Sequence, residues 1–154
     1  MPKVDTLERI PHSARQMYDL VADIEEYPHF VPLCQDLNVL TRREKRGAEV
    51  VDARMQVGYK SIQETFVSRV VLRPDDLRID VSYIDGPFEY LDNKWTFIPV
   101  RENSCDVDFK LDYKFKNRAL ALLMGSVFDK AFARVVGAFR ERADEVYGRT
   151  ESVS

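Results

Sequence analysis

The sequence predicts an α+β domain in which an antiparallel sheet of about six to seven strands packs around one long C-terminal helix, with one or two short helices after the first strand. Three observations predict it. Residues 117–147 run without a proline and place Leu120, Met124, Val127/Phe128, Ala131, Val135, Phe139 and Val146 at helical spacing. At about 1.5 Å per residue such a helix is longer than a small domain is wide. Between residues 36 and 115 the apolar period drops to two, the mark of half-buried strands. Short polar turns separate these strands, so neighbours in sequence pair antiparallel, with one wet and one apolar face.

Taken in order, residues 3–10 hold Val4, Leu7 and Ile10 among charges and read as a short strand. Pro11-His12-Ser13 ends it, and Ser13 with Gln16 has the form of a capping box. Met17, Leu20, Val21 and Ile24 then give an amphipathic helix that Pro28 must end. Residues 25–33 (EEYPHFVPL) contain two prolines, so Tyr27, Phe30, Val31 and Leu33 are expected on a turn with at most one short helix. Residues 39–43 lead to a turn at Lys45-Arg46-Gly47, and Val51, Ala53, Met55 and Val57 alternate with Asp52, Arg54 and Gln56. Gly58 marks a bend or turn, residues 61–72 a longer strand, and Pro74-Asp75-Asp76 the next reversal. Leu77, Ile79, Val81 and Tyr83 form another alternating set, broken at Asp85-Gly86-Pro87. Residues 88–91 resume, and residues 94–100 place Trp95 and Phe97 on one face. The clearest strand is the last, where Cys105, Val107, Phe109, Leu111, Tyr113 and Phe115 alternate without a miss.

A chain of 154 residues is most simply one domain, here residues 1–149, with 150–154 as a frayed tail. The net charge of -3 argues against a general nucleic-acid binder and leaves room only for a local basic patch. Two cysteines, Cys34 and Cys105, are too few for a disulfide framework and fit a reducing compartment. No apolar run is long enough to span a bilayer, and no secretory or transit signal is evident, so the expected location is the cytoplasm.

Catalytic patterns are sparse. His12 and His29 each sit beside a proline, where a capping or surface role is the plainer reading. No glycine-rich phosphate loop occurs, and no spacing suits a metal, so no metal and no cofactor are expected. What the chain offers is apolar surface. One sheet face would present Met55, Val57, Tyr83, Trp95, Phe97, Phe109, Leu111 and Tyr113, with Met124, Val127 and Phe128 opposite on the helix. These side chains either fill a core or wall a cavity. The mixture of aromatic, Met and Tyr side chains, together with an irregular apolar segment at residues 27–33 and the turn before Phe88, suits a cavity with a mouth. Lys114, Lys116, Arg118, Lys130 and Arg134 outnumber the acidic residues near the helix start, a patch that could meet anionic headgroups or an acidic partner.

Two motifs resemble those of a known family. Asp23, Tyr27, Pro28, Phe30, Pro32 and Cys34 match the first, and Gly86, Pro87, Phe88, Leu91, Trp95 and Phe97 the second. With the long C-terminal helix they make the chain similar, over nearly its whole length, to the bacterial branch of the coenzyme Q-binding START-domain family. That family also includes proteins described as ribosome association toxins and, more distantly, polyketide cyclases. The resemblance implies a helix-grip fold with a hydrophobic tunnel that binds ubiquinone or a related polyprenyl lipid in support of respiratory electron transfer, without catalysis. It implies tunnel walls at Tyr27, Phe30, Val31, Pro32, Phe88, Leu91 and the Leu120–Phe128 end of the helix, including Met124 and Val127, with tight packing over residues 131–139. Tyr27, Tyr83 and Trp95 are the expected headgroup donors. The implied partners are the lipid and, transiently, the inner-membrane surface, with the ribosome as the alternative partner. A cyclase-type enzyme is a third reading, opposed by the apolar character of the inward positions.

Overall fold

The computed structural model describes residues 3–148; the tail expected at residues 150–154, and Arg149 before it, lie outside the described residues. The element order is β1 (Lys3–Ile10), α1 (Ala14–Ala22), a 3-10 helix (Ile24–His29), β2 (Cys34–Lys45), β3 (Ala48–Tyr59), β4 (Ile62–Arg73), β5 (Arg78–Asp85), β6 (Phe88–Arg101), β7 (Ser104–Phe115), α2 (Arg118–Ala133) and α3 (Val135–Tyr147). The strands form one seven-stranded sheet in the order β1-β7-β6-β5-β4-β3-β2, with all neighbours antiparallel. This is the predicted meander, closed on one edge by β1 pairing with β7. The helices lie on the inner face, where Trp95, Phe97, Phe109, Leu111 and Tyr113 are buried.

The start of α1 is as its sequence requires: Gln16 N–H donates to Ser13 Oγ at 3.1 Å and Ser13 N–H to Gln16 Oε1 at 3.0 Å. The helix stops at Ala22, earlier than Pro28 demands, and the chain tightens into a 3-10 helix that contains Pro28. Four further expectations are corrected. Gly58 lies inside β3, and the turn falls on residues 60–61. A Cβ on Gly58 would meet the Gln35 side chain at 2.4 Å, so glycine is needed there for close approach, not for a bend. Leu77 sits in the β4–β5 turn at φ +51, and β6 is one continuous strand where two segments were expected. The single long helix is two segments. Arg134 N–H turns back to Ala131 O at 3.1 Å, a locally tightened turn, before Val135-Val136-Gly137, three weak helix formers.

Candidate functional site

Two aromatic clusters hold the inner face apart. In the first, Phe88 is 1% exposed and meets the rings of Phe66, Tyr83, Tyr113, Phe115 and Phe128 at centroid distances of 5.1–6.1 Å. Gly86, at φ +143, makes this possible: a Cβ there would lie 2.5 Å from Phe66 Cβ. Lys116 N–H, donating to Pro87 O at 2.8 Å, ties the end of β7 to the same turn. In the second cluster, Trp95 packs on Phe97, Phe109 and Phe139, and Phe139 also meets Tyr27 and Phe30 at 5.3 and 4.9 Å. Between the clusters the rings do not close, and a cavity of about 140 Å³ remains.

Of the sequence-predicted residues, Tyr27, Val31, Pro32, Met55, Val57, Leu91, Trp95, Phe109, Leu111 and Phe128 line this cavity. Seven others lie off its wall. Phe88 is enclosed by its ring neighbours, Tyr83 packs edge-on against Phe88, and Phe97 is sandwiched between Trp95 and Tyr18 of α1. Phe30 covers the far side of Phe139 and carries the Arg142 guanidinium over its ring at 5.3 Å. Leu120 and Met124 lie two turns and one turn before Phe128, which already reaches Phe88 and Phe115, so the cavity ends before them. Val127 is half-buried to one side.

The helical stripe on the wall is Phe128, Ala131, Phe132, Val135 and Phe139, so the segment expected to pack tightly is the one that faces the void. Ile24, Leu33, Leu37, Ala53, Phe66, Ser68, Val70, Val81 and Asn93 complete the wall. Alternation within β2, β4 and β5 could have found Leu37, Phe66, Ser68, Val70 and Val81, because they share the inward parity of Met55 and Trp95. Leu33 could not be found that way: it sits on the lip at φ +67, held by Gly58 N–H donating to its carbonyl at 3.0 Å.

The polar groups at the wall are few. Tyr27 OH donates to Val21 O at 2.5 Å, and its burial pushes the phenol well above the usual tyrosine range. Trp95 Nε1 donates to Asn93 Oδ1 at 2.9 Å, and Asn93 Nδ2 to Lys110 O at 2.9 Å. Tyr83 OH accepts from Phe88 N–H at 3.1 Å. Of the three expected headgroup donors, Tyr27 and Trp95 already donate to other groups, and Tyr83 lies off the wall with its oxygen accepting from Phe88. Ser68, on β4, is buried on the wall, and among the described residues its hydroxyl has no hydrogen-bond partner.

Neither histidine is at the cavity. For His12 a capping or surface role was expected; it is 2% exposed, and its Nε2 lies 2.7 Å from Asp144 Oδ1 on α3. His29 is exposed beside Glu26. The Cys34 thiol points to Asp36 O, and burial pushes its pKa up to about 11, far from a ready thiolate. Among the described residues no group of His, Cys, Asp and Glu is arranged to hold a metal ion, and no helix is long and apolar enough to cross a membrane.

Residues 10–140 match the family described as polyketide cyclase / dehydrase and lipid transport. The chain is 36% identical over 147 residues to the ribosome association toxin RatA of Escherichia coli K12, covering 96% of this chain and 90% of that one. It is 34% identical over 143 residues to the mitochondrial coenzyme Q-binding protein COQ10 homolog B of Xenopus laevis, covering 90% of this chain and 57% of that one. The solution structure of the 18 kDa protein CC1736 from Caulobacter crescentus superimposes with a TM-score of 0.76 at 31% identity, over 96% of this chain and 99% of that one.

Proposed function

Because this chain belongs to the polyketide cyclase / dehydrase and lipid transport family, with the START-like helix-grip fold, we propose that it binds ubiquinone or a related isoprenoid lipid and carries it for respiratory electron transfer, without chemical turnover. The observation that carries this is the cavity between the two aromatic clusters, whose wall is almost wholly apolar. Each buried CH₂ of an isoprenoid contributes about 0.8 kcal/mol, so such walls can supply most of the affinity. A void of about 140 Å³ is close to the size that admits a single benzene ring, about 150 Å³. A ring or one end of a tail fits as the protein stands. A longer chain must pass the half-buried lip of Val31, Pro32 and Leu33 opposite Phe132 and Val135. Ser68 is the group free to donate to a quinone or hydroxyl oxygen. The wall holds no acid–base pair, which favours binding over the cyclase chemistry that the family name also contains.

Delivery at a membrane is part of this reading. Residues 119–128 (ALALLMGSVF) carry no charge, yet Leu122 is 81% and Leu123 59% exposed. Lys116 and Arg118 precede the run, and Asp129, held by Tyr113, and then Lys130 follow it. An exposed apolar helix face flanked by cations suits an interface with anionic headgroups. The test is incubation of the purified protein with quinone-containing membranes, followed by native mass spectrometry. Wild type should emerge loaded, and Val31→Asp, a change on the half-buried lip, should fold and emerge empty. A wild-type protein that never carries lipid ends this proposal.

The relatives named for ribosome association support a second reading, contact with a ribosomal subunit. Sedimentation of ribosomes with added protein decides it, and an unchanged subunit profile removes it.

A further inference from the structure

On the outer face of the sheet, strand alternation gathers cations that the net charge conceals. Arg43 and Lys45 of β2 pair with Val50 and Ala48 of β3; Val50 pairs with Val71 of β4, and Asp52 with Arg69. Arg73 then pairs with Arg78 of β5, and Val71 with Asp80. Arg43, Lys45, Arg46, Arg69 and Arg73 line one groove, floored by Ala48, Val50 and Val71. Val50 is 6% exposed and lies outside the main core cluster, on the groove floor among the basic side chains, whose aliphatic stems can cover it.

With Arg78 beside it, the groove gathers six cations around two carboxylates, Asp52 and Asp80, in a chain whose net charge is -3. Both carboxylates are engaged. Arg69 clamps Asp52 through Nε and Nη2 at 2.8 and 3.1 Å, and Asp80 sits 3.3 Å from Arg73 and 3.6 Å from Arg78. Among the described residues Arg43, Lys45 and Arg46 make no ion pair. Acidic partners of the same strands point the other way: Glu44 and Glu49 face Asp19 and Asp23 across a groove on the inner side. Arg46 stands at the edge of the groove. It opens the β2–β3 turn at φ +52, before Gly47 at φ +81, a position whose backbone favours Asn, Asp or Gly.

We propose that this groove binds the phosphodiester backbone of folded RNA. Five of the six cations are arginines, whose planar forks suit phosphate oxygens better than a lysine point charge does. A membrane would call for exposed apolar side chains, and here the apolar floor is covered. The proposal deepens the ribosomal reading by naming the chemistry and the surface, and it makes no use of the lipid cavity.

The experiment is fluorescence anisotropy of the full chain with a labelled RNA duplex of about 20 base pairs, long enough to span a shape-reading footprint. Wild-type affinity should fall at least tenfold between about 50 and 200 mM salt. The variant Arg43→Gln/Lys45→Gln/Arg46→Asn should bind at least tenfold more weakly at the lower salt, with the log–log salt slope reduced by about 0.9 for each phosphate no longer neutralised. Arg46→Asn alone fits the turn, keeps the fold, and should show a smaller loss of the same kind. Absence of duplex binding, or equal binding by the triple variant, overturns the proposal. So does polyglutamate binding as tightly through these residues, or phosphatidylglycerol vesicles being captured by them. Duplex binding with an unchanged ribosome profile supports the RNA surface while removing the ribosome as its target. Ribosome binding without duplex binding overturns this surface and leaves the second reading standing.

Discussion

The two halves of the C-terminal helix are held in different ways. α3 is gripped from several sides: Phe139 meets Tyr27, Phe30 and Trp95, Asp144 bonds buried His12, Tyr147 OH donates to Gln16 O at 3.2 Å, and Ala143 is fully buried. α2 rests on the sheet by one stripe, Met124, Phe128 and Ala131, with the hydrogen bond from Tyr113 OH to Asp129 at its flank. Residues 119–128 within it carry no charge, and Leu122 and Leu123 there are exposed. The tightened turn at Arg134 divides them. The difference teaches that stability and access can be assigned to separate segments of what the sequence writes as one helix, with α3 as the anchor and α2 as the wall that can yield.

The most severe way to break this comparison is Phe139→Ala. Removal of a side chain 1% exposed, touching three other rings, should cost about 3–5 kcal/mol and lower Tm by roughly 10 °C, read by calorimetry. Because Phe139 also lines the cavity, lipid occupancy should fall with it. A loss under about 1 kcal/mol would show that α3 is no anchor.

The next pair sharpens the contrast through hydrogen bonds. His12→Ala empties a position only 2% exposed and removes its contact with Asp144 of α3, and should cost about 1–3 kcal/mol in urea unfolding. Tyr113→Phe, which removes the Asp129 partner of α2, should cost about 1 kcal/mol or less, since Asp129 is exposed and water can replace the phenol. The reverse order would make α2 the better-held segment.

Much of this is legible in the amino-acid sequence itself. Period-two alternation locates the strands, and Ser13 with Gln16 marks the helix start, because these signals live within a few residues of one another. Ten of the seventeen wall residues named from the sequence do meet at the cavity. The misplaced wall residues have one cause: parity and helical phase say which side a residue faces, not how far along the sheet the helix crosses. Met124 and Phe139 share a stripe, and only the crossing puts Phe139 beside the void and Met124 past its end. The polar tips of Tyr27 and Trp95 were illegible for another reason. Their partners, Val21 O and Asn93 Oδ1, are short-range neighbours whose geometry no residue type announces. The outer basic groove was hidden because a net charge sums over both faces of a strand, and Glu44 between Arg43 and Lys45 cancels in the sum while pointing the opposite way.

The smallest expected effect on stability is the most informative about α2. Leu122→Ser/Leu123→Ser replaces two exposed apolar side chains, so unfolding free energy should stay within about 0.5 kcal/mol of wild type per site. Equilibrium affinity for a short, water-soluble quinone should also hold, since neither side chain lines the cavity. What should fall is the rate at which the protein extracts quinone from anionic vesicles, because that step alone requires α2 to reach the interface. Stopped-flow transfer between vesicles separates the cases. A slowed rate with intact short-quinone binding assigns access to α2. Unchanged transfer would mean that the exposed leucines serve no membrane, and that the lipid enters past the Val31–Leu33 lip without help from the helix beside it.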